Sequence, residues 1–129
     1  MKKIVDKISD SEAEVMKAVW SADSYPVTYA QIRTTLSQKF NWESQTINTL
    51  VKRLVKKNIL KQEKREIYYY SPLVSEADYQ EAKTATFIEH VYGNNIKGLL
   101  SALISYDKVT EKDFEELKDF WEKGRGADE

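Results

Sequence analysis

Four times in this chain a serine or threonine stands three residues ahead of a carboxylate or amide, at the front of a segment whose apolar residues recur every three or four positions. The pairs are Ser9 with Glu12, Thr28 with Gln31, Ser75 with Asp78, and Thr110 with Asp113. Each can satisfy two orphan backbone N–H groups reciprocally, so the spacing predicts a chain built mainly of helices. The first helix buries Ala13, Met16, Val19 and Trp20 and ends near "SADSYP"; the second, after a short turn, carries Tyr29, Ile32, Leu36 and Phe40 on one side. A third, with Asn41 or Ser44 as its cap, sets Ile47, Leu50, Val51 and Leu54 at i, i+3, i+4 and i+7, a stripe that faces a core.

The other side of that third helix has a different chemistry. Gln45, Asn48, Thr49 and Lys52 follow the same spacing, and no carboxylate occurs from Ser44 to Lys57. A face serving solubility alone would pair Glu with Lys; here amide and hydroxyl groups suit base edges in a major groove, while cations suit phosphates. Gln45, Asn48 and Thr49 are candidate base readers, and Lys52, Arg53 and Lys56 candidate phosphate contacts. An ordinary solvated polar face is the competing reading. The chain continues with "ILKQEKREIYYYSPL", two short strands, Ile59 to Glu63 and Ile67 to Ser71, turning over "EKRE". Strand alternation points Ile67 and Tyr69 one way and Tyr68 and Tyr70 the other, and the tyrosines are read as packing residues rather than base stackers. Lys64 and Arg65 make the hairpin tip cationic. Three helices followed by such a hairpin make a winged helix-turn-helix, mainly α with a small β-hairpin wing. In that fold the third helix enters the major groove of double-stranded DNA and the wing lies along the adjacent backbone.

Charge is distributed to match. Up to Pro72 the 129-residue chain carries 13 Lys and Arg against 8 Asp and Glu, net +5; from Leu73 onward it carries 7 against 13, net −6. Ser44 to Arg65 alone holds seven cations and one anion, Glu63, a density suited to a polyanion. Without cysteine there is no disulfide, thiolate metal site or cysteine nucleophile. The single histidine, His90, sits beside Glu89 with no second histidine for a metal site, and the four glycines form neither a phosphate-binding loop nor a nucleophile elbow. No catalytic, cofactor-binding or metal-binding residue is therefore assigned. No apolar run approaches a bilayer span, and "MKKIVDKISD" lacks an apolar signal core, so a cytoplasmic location without membrane partners is expected.

The segments "ISDSEAEVMKAVW", "TINTLVKRLVKKNIL", "IYYYSPLVSEADY" and "VYGNNIKGLL" resemble the penicillinase-repressor and methicillin-resistance-regulator family, which also contains copper-responsive CopY-type repressors. The likeness covers nearly the whole chain. Its most specific part joins Glu14 to Trp20 with Thr46, Thr49, Leu50, Arg53, Leu54 and the Lys56–Lys57 pair. It adds Thr46 to the DNA-contact set and implies a homodimer whose two winged helices bind an inverted-repeat (palindromic) operator and block transcription. Asn48 stands where those proteins usually carry a basic residue, and Gln45 where a lysine is frequent, so the operator read by this chain need not be theirs. In the penicillinase repressors that it resembles, induction is proteolytic, between an Asn and a Phe of the penultimate helix. Alignment through "YGNNIKGLL" puts Ala102 and Leu103 there, a departure from that pattern. CopY-type repressors carry a cysteine-rich tail that this chain lacks. An inducing protease acting on the arm is the partner this resemblance implies; a metal or other signal is the alternative.

Residues 74–129 are expected to form a helical dimerisation domain behind a winged-helix domain of residues 1–73. The first arm helix continues through Phe87, Ile88, Val91 and Tyr92 until "GNN" interrupts it; Ile96, Leu99, Leu100, Leu103 and Ile104 form a second stripe, and Phe114, Leu117, Phe120 and Trp121 a third. A unit this small buries too little of its own surface to stand alone, so the stripes are expected to pair with the same arm of a second chain. Packing against the chain's own first domain is the alternative. For function, the competing class is a winged helix used as an adaptor for an acidic protein partner, in which the stripe from Gln45 to Lys52 would have little purpose.

Overall fold

The computed structural model describes residues 7–106 and 108–128; the first six residues of "MKKIVDKISD" lie outside it. In chain order the elements are α1 (Asp10–Trp20), β1 (Val27–Thr28), α2 (Tyr29–Ser37), α3 (Ser44–Lys56), β2 (Leu60–Lys64), β3 (Tyr68–Pro72), α4 (Glu76–Tyr92), α5 (Ile96–Ser105) and α6 (Glu111–Asp128). The winged helix-turn-helix expected from the sequence is therefore present: three helices, then an antiparallel hairpin. Both hairpin strands begin one residue later than their alternation suggested. The two-residue β1, too short to leave a periodic signal, pairs with β3 to give the order β1-β3-β2.

The capping pairs form as spaced. Ser9 Oγ accepts from the Glu12 N–H at 3.2 Å while Glu12 Oε1 accepts from the Ser9 N–H at 2.8 Å, and Thr28–Gln31 and Thr110–Asp113 repeat the exchange. At Ser75 the hydroxyl accepts from the Asp78 N–H at 3.0 Å. The start of α3 is different from the expectation, because neither Asn41 nor Ser44 caps it. Glu43 holds the cap position without a side-chain bond. Ser44 is the first helical residue, and its carbonyl and hydroxyl both meet the Tyr29 hydroxyl at 2.8 Å. The front of α3 is thus pinned to the front of α2.

The end of α3 is set by an asparagine. Asn58 adopts φ 62°, its N–H reaches the Val55 carbonyl and the Ile59 N–H reaches Leu54, both at 3.0 Å. This is a Schellman motif with Asn in the left-handed position usually given to glycine. It turns the chain straight into β2 and buries Ile59 against the core. All four residues of the α3 apolar stripe are buried there, with Val15, Met16, Val19, Ile32, Leu60 and Tyr70. Burying each such aliphatic side chain contributes roughly 1.5–3 kcal/mol.

Two compact units result, the first running through Ala85 and the second beginning at Thr86. The first extends past the division expected after residue 73 because Tyr79 and Ala82, early in α4, belong to the same core. Trp20 fastens this junction: its Nε1–H donates to the Val74 carbonyl at 2.9 Å, and its ring lies 5.4 Å from that of Tyr79. In the second unit, Gly93 and Asn94 take left-handed backbone (φ 55° and 66°) where "GNN" ends α4. Asn95 then caps α5 through the Gly98 N–H at 3.1 Å; a Cβ on Gly98 would fall 2.7 Å from Asn95 Nδ2, so a larger residue there would displace the capping side chain. Among the described residues from Thr86 onward, none is fully buried. Phe87, Val91, Ile96, Leu100, Phe114, Leu117 and Trp121 are exposed in the single chain, while Leu99 and Leu103 are half-buried. No described helix is long and apolar enough to cross a membrane.

Candidate nucleic-acid interface

At about 100° per residue, α3 carries two opposed faces. Ile47, Leu50, Val51 and Leu54 point into the core, while Gln45, Thr49, Lys52 and Lys56 centre the opposite face. Thr46 and Arg53 form one edge of that outer face and Asn48 the other. Gln45, Thr46, Thr49, Lys52, Arg53 and Lys56 are exposed. Asn48 is half-buried instead. It lines an open cleft of about 430 Å³ with Thr28, Tyr29, Ala30, Ile67, Tyr68 and Tyr70, between α3 and the wing. Thr49 has a narrower repertoire than its formula suggests: its hydroxyl donates to the Gln45 carbonyl at 2.9 Å. Its proton being used within the helix, Thr49 can offer a base only a lone pair or its methyl group.

The tyrosines of the wing do not all pack as expected. Tyr70 is 4% exposed, Tyr69 half-buried and Tyr68 44% exposed. The reason lies in the register: β1 reaches only to partners Tyr70 and Tyr69, so Tyr68 extends beyond the three-stranded part of the sheet. Burial, with the Tyr68 and Tyr29 phenols nearby, pushes the Tyr70 hydroxyl pKa up, and it remains a neutral phenol.

Two of the seven cations between Ser44 and Arg65 are engaged internally. Lys57 Nζ lies 2.7 and 2.8 Å from the two carboxylate oxygens of Glu12 and donates to the Lys7 carbonyl at 2.6 Å. Glu12 is 1% exposed. Burial pushes its carboxyl pKa up, but the Lys57 ammonium and the Ser9 N–H and hydroxyl together outweigh burial and hold it below the usual carboxylate range. Arg65 Nε donates to Glu63 Oε2 at 2.6 Å, and its guanidinium carbon lies 4.9 Å from the Tyr69 ring centre. Lys52, Arg53, Lys56, Lys61 and Lys64 are exposed and form no ion pair among the described residues. Sequence reasoning missed the Lys57 engagement, whose only local signal was that Glu12 also belongs to a capping pair. Among the described residues no three His, Asp or Glu side chains converge to hold a metal.

The family model described as penicillinase repressor matches residues 8–123. Over 118 residues the chain is 32% identical to the penicillinase repressor of Bacillus licheniformis, covering 91% of this chain and 90% of that one. It is 30% identical over 118 residues to the methicillin resistance regulatory protein MecI of Staphylococcus aureus strain N315, covering 91% and 94%. The solution structure of the DNA binding domain of the repressor BlaI is similar with a TM-score of 0.50 and 36% identity, over 58% of this chain and 90% of that one. With a match spanning both the winged helix and the helical arm, the chain belongs to the penicillinase repressor family.

Proposed function

We propose that this protein is a cytoplasmic transcriptional repressor that binds double-stranded DNA as a homodimer, at an inverted-repeat operator. The observation that carries this reading is the carboxylate-free outer face of α3: exposed amide, hydroxyl and ammonium groups beside a hairpin, on a scaffold like that of a repressor's DNA binding domain. Gln45, Thr46, Asn48 and Thr49 face base edges, Lys52, Arg53 and Lys56 face phosphates, and the wing follows the adjacent backbone with Lys64 exposed near its tip. The relatives matched include proteins named as penicillinase repressors and methicillin resistance regulators.

Two chains joined by their arms would present two such helices, and bivalency multiplies a modest half-site affinity. The exposed apolar residues of the arm supply the surface for that pairing. Release then follows from any event that separates the arms, so a protease is a sufficient inducer. The Ala102–Leu103 bond lies inside α5, with both side chains half-buried; cutting there requires the helix to unwind, because exposed loop tips are the preferred nicking sites.

The test is footprinting and equilibrium binding on the promoter regions of its own and neighbouring genes. An inverted-repeat fragment is expected to outcompete random duplex at fixed salt, with log affinity falling linearly in log salt. Equal affinity for all duplexes would instead favour an adaptor for an acidic protein partner. Within a binding-competent protein, Gln45→Ala or Asn48→Ala is expected to change which operator bases matter. Arg53→Ala or Lys56→Ala is expected to weaken every duplex and lower the salt slope by about one each. The reverse pattern would mean that α3 lies differently on the duplex.

A further inference from the structure

We propose that Tyr68, paired across the wing with Lys64, makes the wing's contact with the sugar-phosphate backbone, and that Arg65 braces the hairpin rather than touching DNA. The proposal rests on the DNA-binding reading above and deepens it.

The hairpin register divides the wing into two faces. Lys64 stands opposite Tyr68 and Gln62 opposite Tyr70, whereas Glu63 stands opposite Tyr69. Side chains directly opposite one another in an antiparallel ladder share a face, and neighbours along a strand alternate. Lys64, Tyr68 and Tyr70 therefore lie on one side of the wing, and Glu63 with Tyr69 on the other. The first side is the one turned toward the reading helix, since Tyr68 and Tyr70 line the cleft that Asn48 closes. Arg65 is held on the second side. Its Nε and Nη2 both bond Glu63 Oε2, and its guanidinium rests over Tyr69. A guanidinium both paired and stacked gives up most of what it could offer a phosphate.

On the cleft side the chemistry fits a backbone. The Tyr68 side chain is exposed, and its hydroxyl has no hydrogen-bond partner among the described residues. A phenol offers an apolar ring for the deoxyribose and one O–H for a phosphate oxygen. Lys64, its cross-strand neighbour, adds the charge that a hydroxyl lacks, and exposed Ile67 extends the apolar edge.

The experiment measures affinity of the full chain for a random-sequence duplex and for the footprinted promoter fragment across a salt series. Tyr68→Phe is expected to weaken binding to both duplexes about tenfold, the scale of a hydrogen bond to a charged group, and Tyr68→Ala more. Lys64→Ala is expected to lower the salt slope by about one, while Arg65→Ala leaves the slope unchanged and affinity within about twofold. Because Tyr68→Phe keeps the ring, a folding failure of the alanine variant would not blunt the result. A slope lowered by Arg65→Ala together with parental affinity in Tyr68→Phe overturns the assignment and leaves the repressor reading standing. A parent chain that binds no duplex removes both.

Discussion

Leu100→Lys is expected to convert the protein to a monomer and to weaken binding to a full inverted repeat by about 10²- to 10⁴-fold, the range over which linked binding exceeds single-site binding. Leu100 is 49% exposed in the single chain and lies in α5, between the exposed Ile96 and Ile104. No described side chain from Thr86 onward is fully buried, so the substitution removes no internal packing of consequence and tests the proposed dimer surface. Light scattering reports the mass, and a half-site duplex serves as the internal control, because one winged helix remains intact. Unchanged mass, with or without loss of binding, would mean that the α5 stripe is not the dimer surface.

The second large effect is expected at Glu12. Glu12→Ala removes the acceptor for Lys57 and for the Ser9 N–H at once, and leaves the ammonium with the Lys7 carbonyl as its one remaining partner among the described residues. Breaking a buried ion pair costs about 3–5 kcal/mol; with Lys57 one-third exposed, solvent relieves part of this and about 2–3 kcal/mol is expected. Lys57→Met in the Glu12→Leu background should recover much of the loss, since replacing both partners by apolar groups avoids a stranded charge. A denaturation midpoint for Glu12→Ala equal to the parent's would show that the contact contributes nothing. Acid provides a second test. The Glu12 carboxyl titrates below its unfolded value, so its contribution is complete above the unfolded pKa, about 4.3 for a glutamate, and is lost as pH falls through the lower folded value. Glu12→Gln should therefore lose less stability than the parent on acidification below about pH 4.5, a difference absent at neutral pH slopes.

This contact matters beyond stability. Lys57 is the residue that closes α3, so Glu12 fixes the last turn of α3 to the first turn of α1. A cation at a helix C-terminus also complements the helix dipole.

The sequence by itself determined the helices, the hairpin and the inward faces of the first three helices, but not β1. The Ser/Thr pairs marked helix starts because capping is a contact between residues three apart, and the α3 stripe marked the core because a helix repeats every 3.6 residues; the outer face from Gln45 to Lys56 followed as its complement. Only the tertiary structure decided which polar groups remain available. Lys57 looked as free as Lys56 until folding brought Glu12 to it from 45 positions away in the chain. Tyr68 and Tyr70 looked equivalent until β1 covered one and not the other, and Asn48 looked open until the wing folded beside it. Period and caps are local properties that a chain carries with it; exposure and pairing belong to surfaces assembled from distant segments.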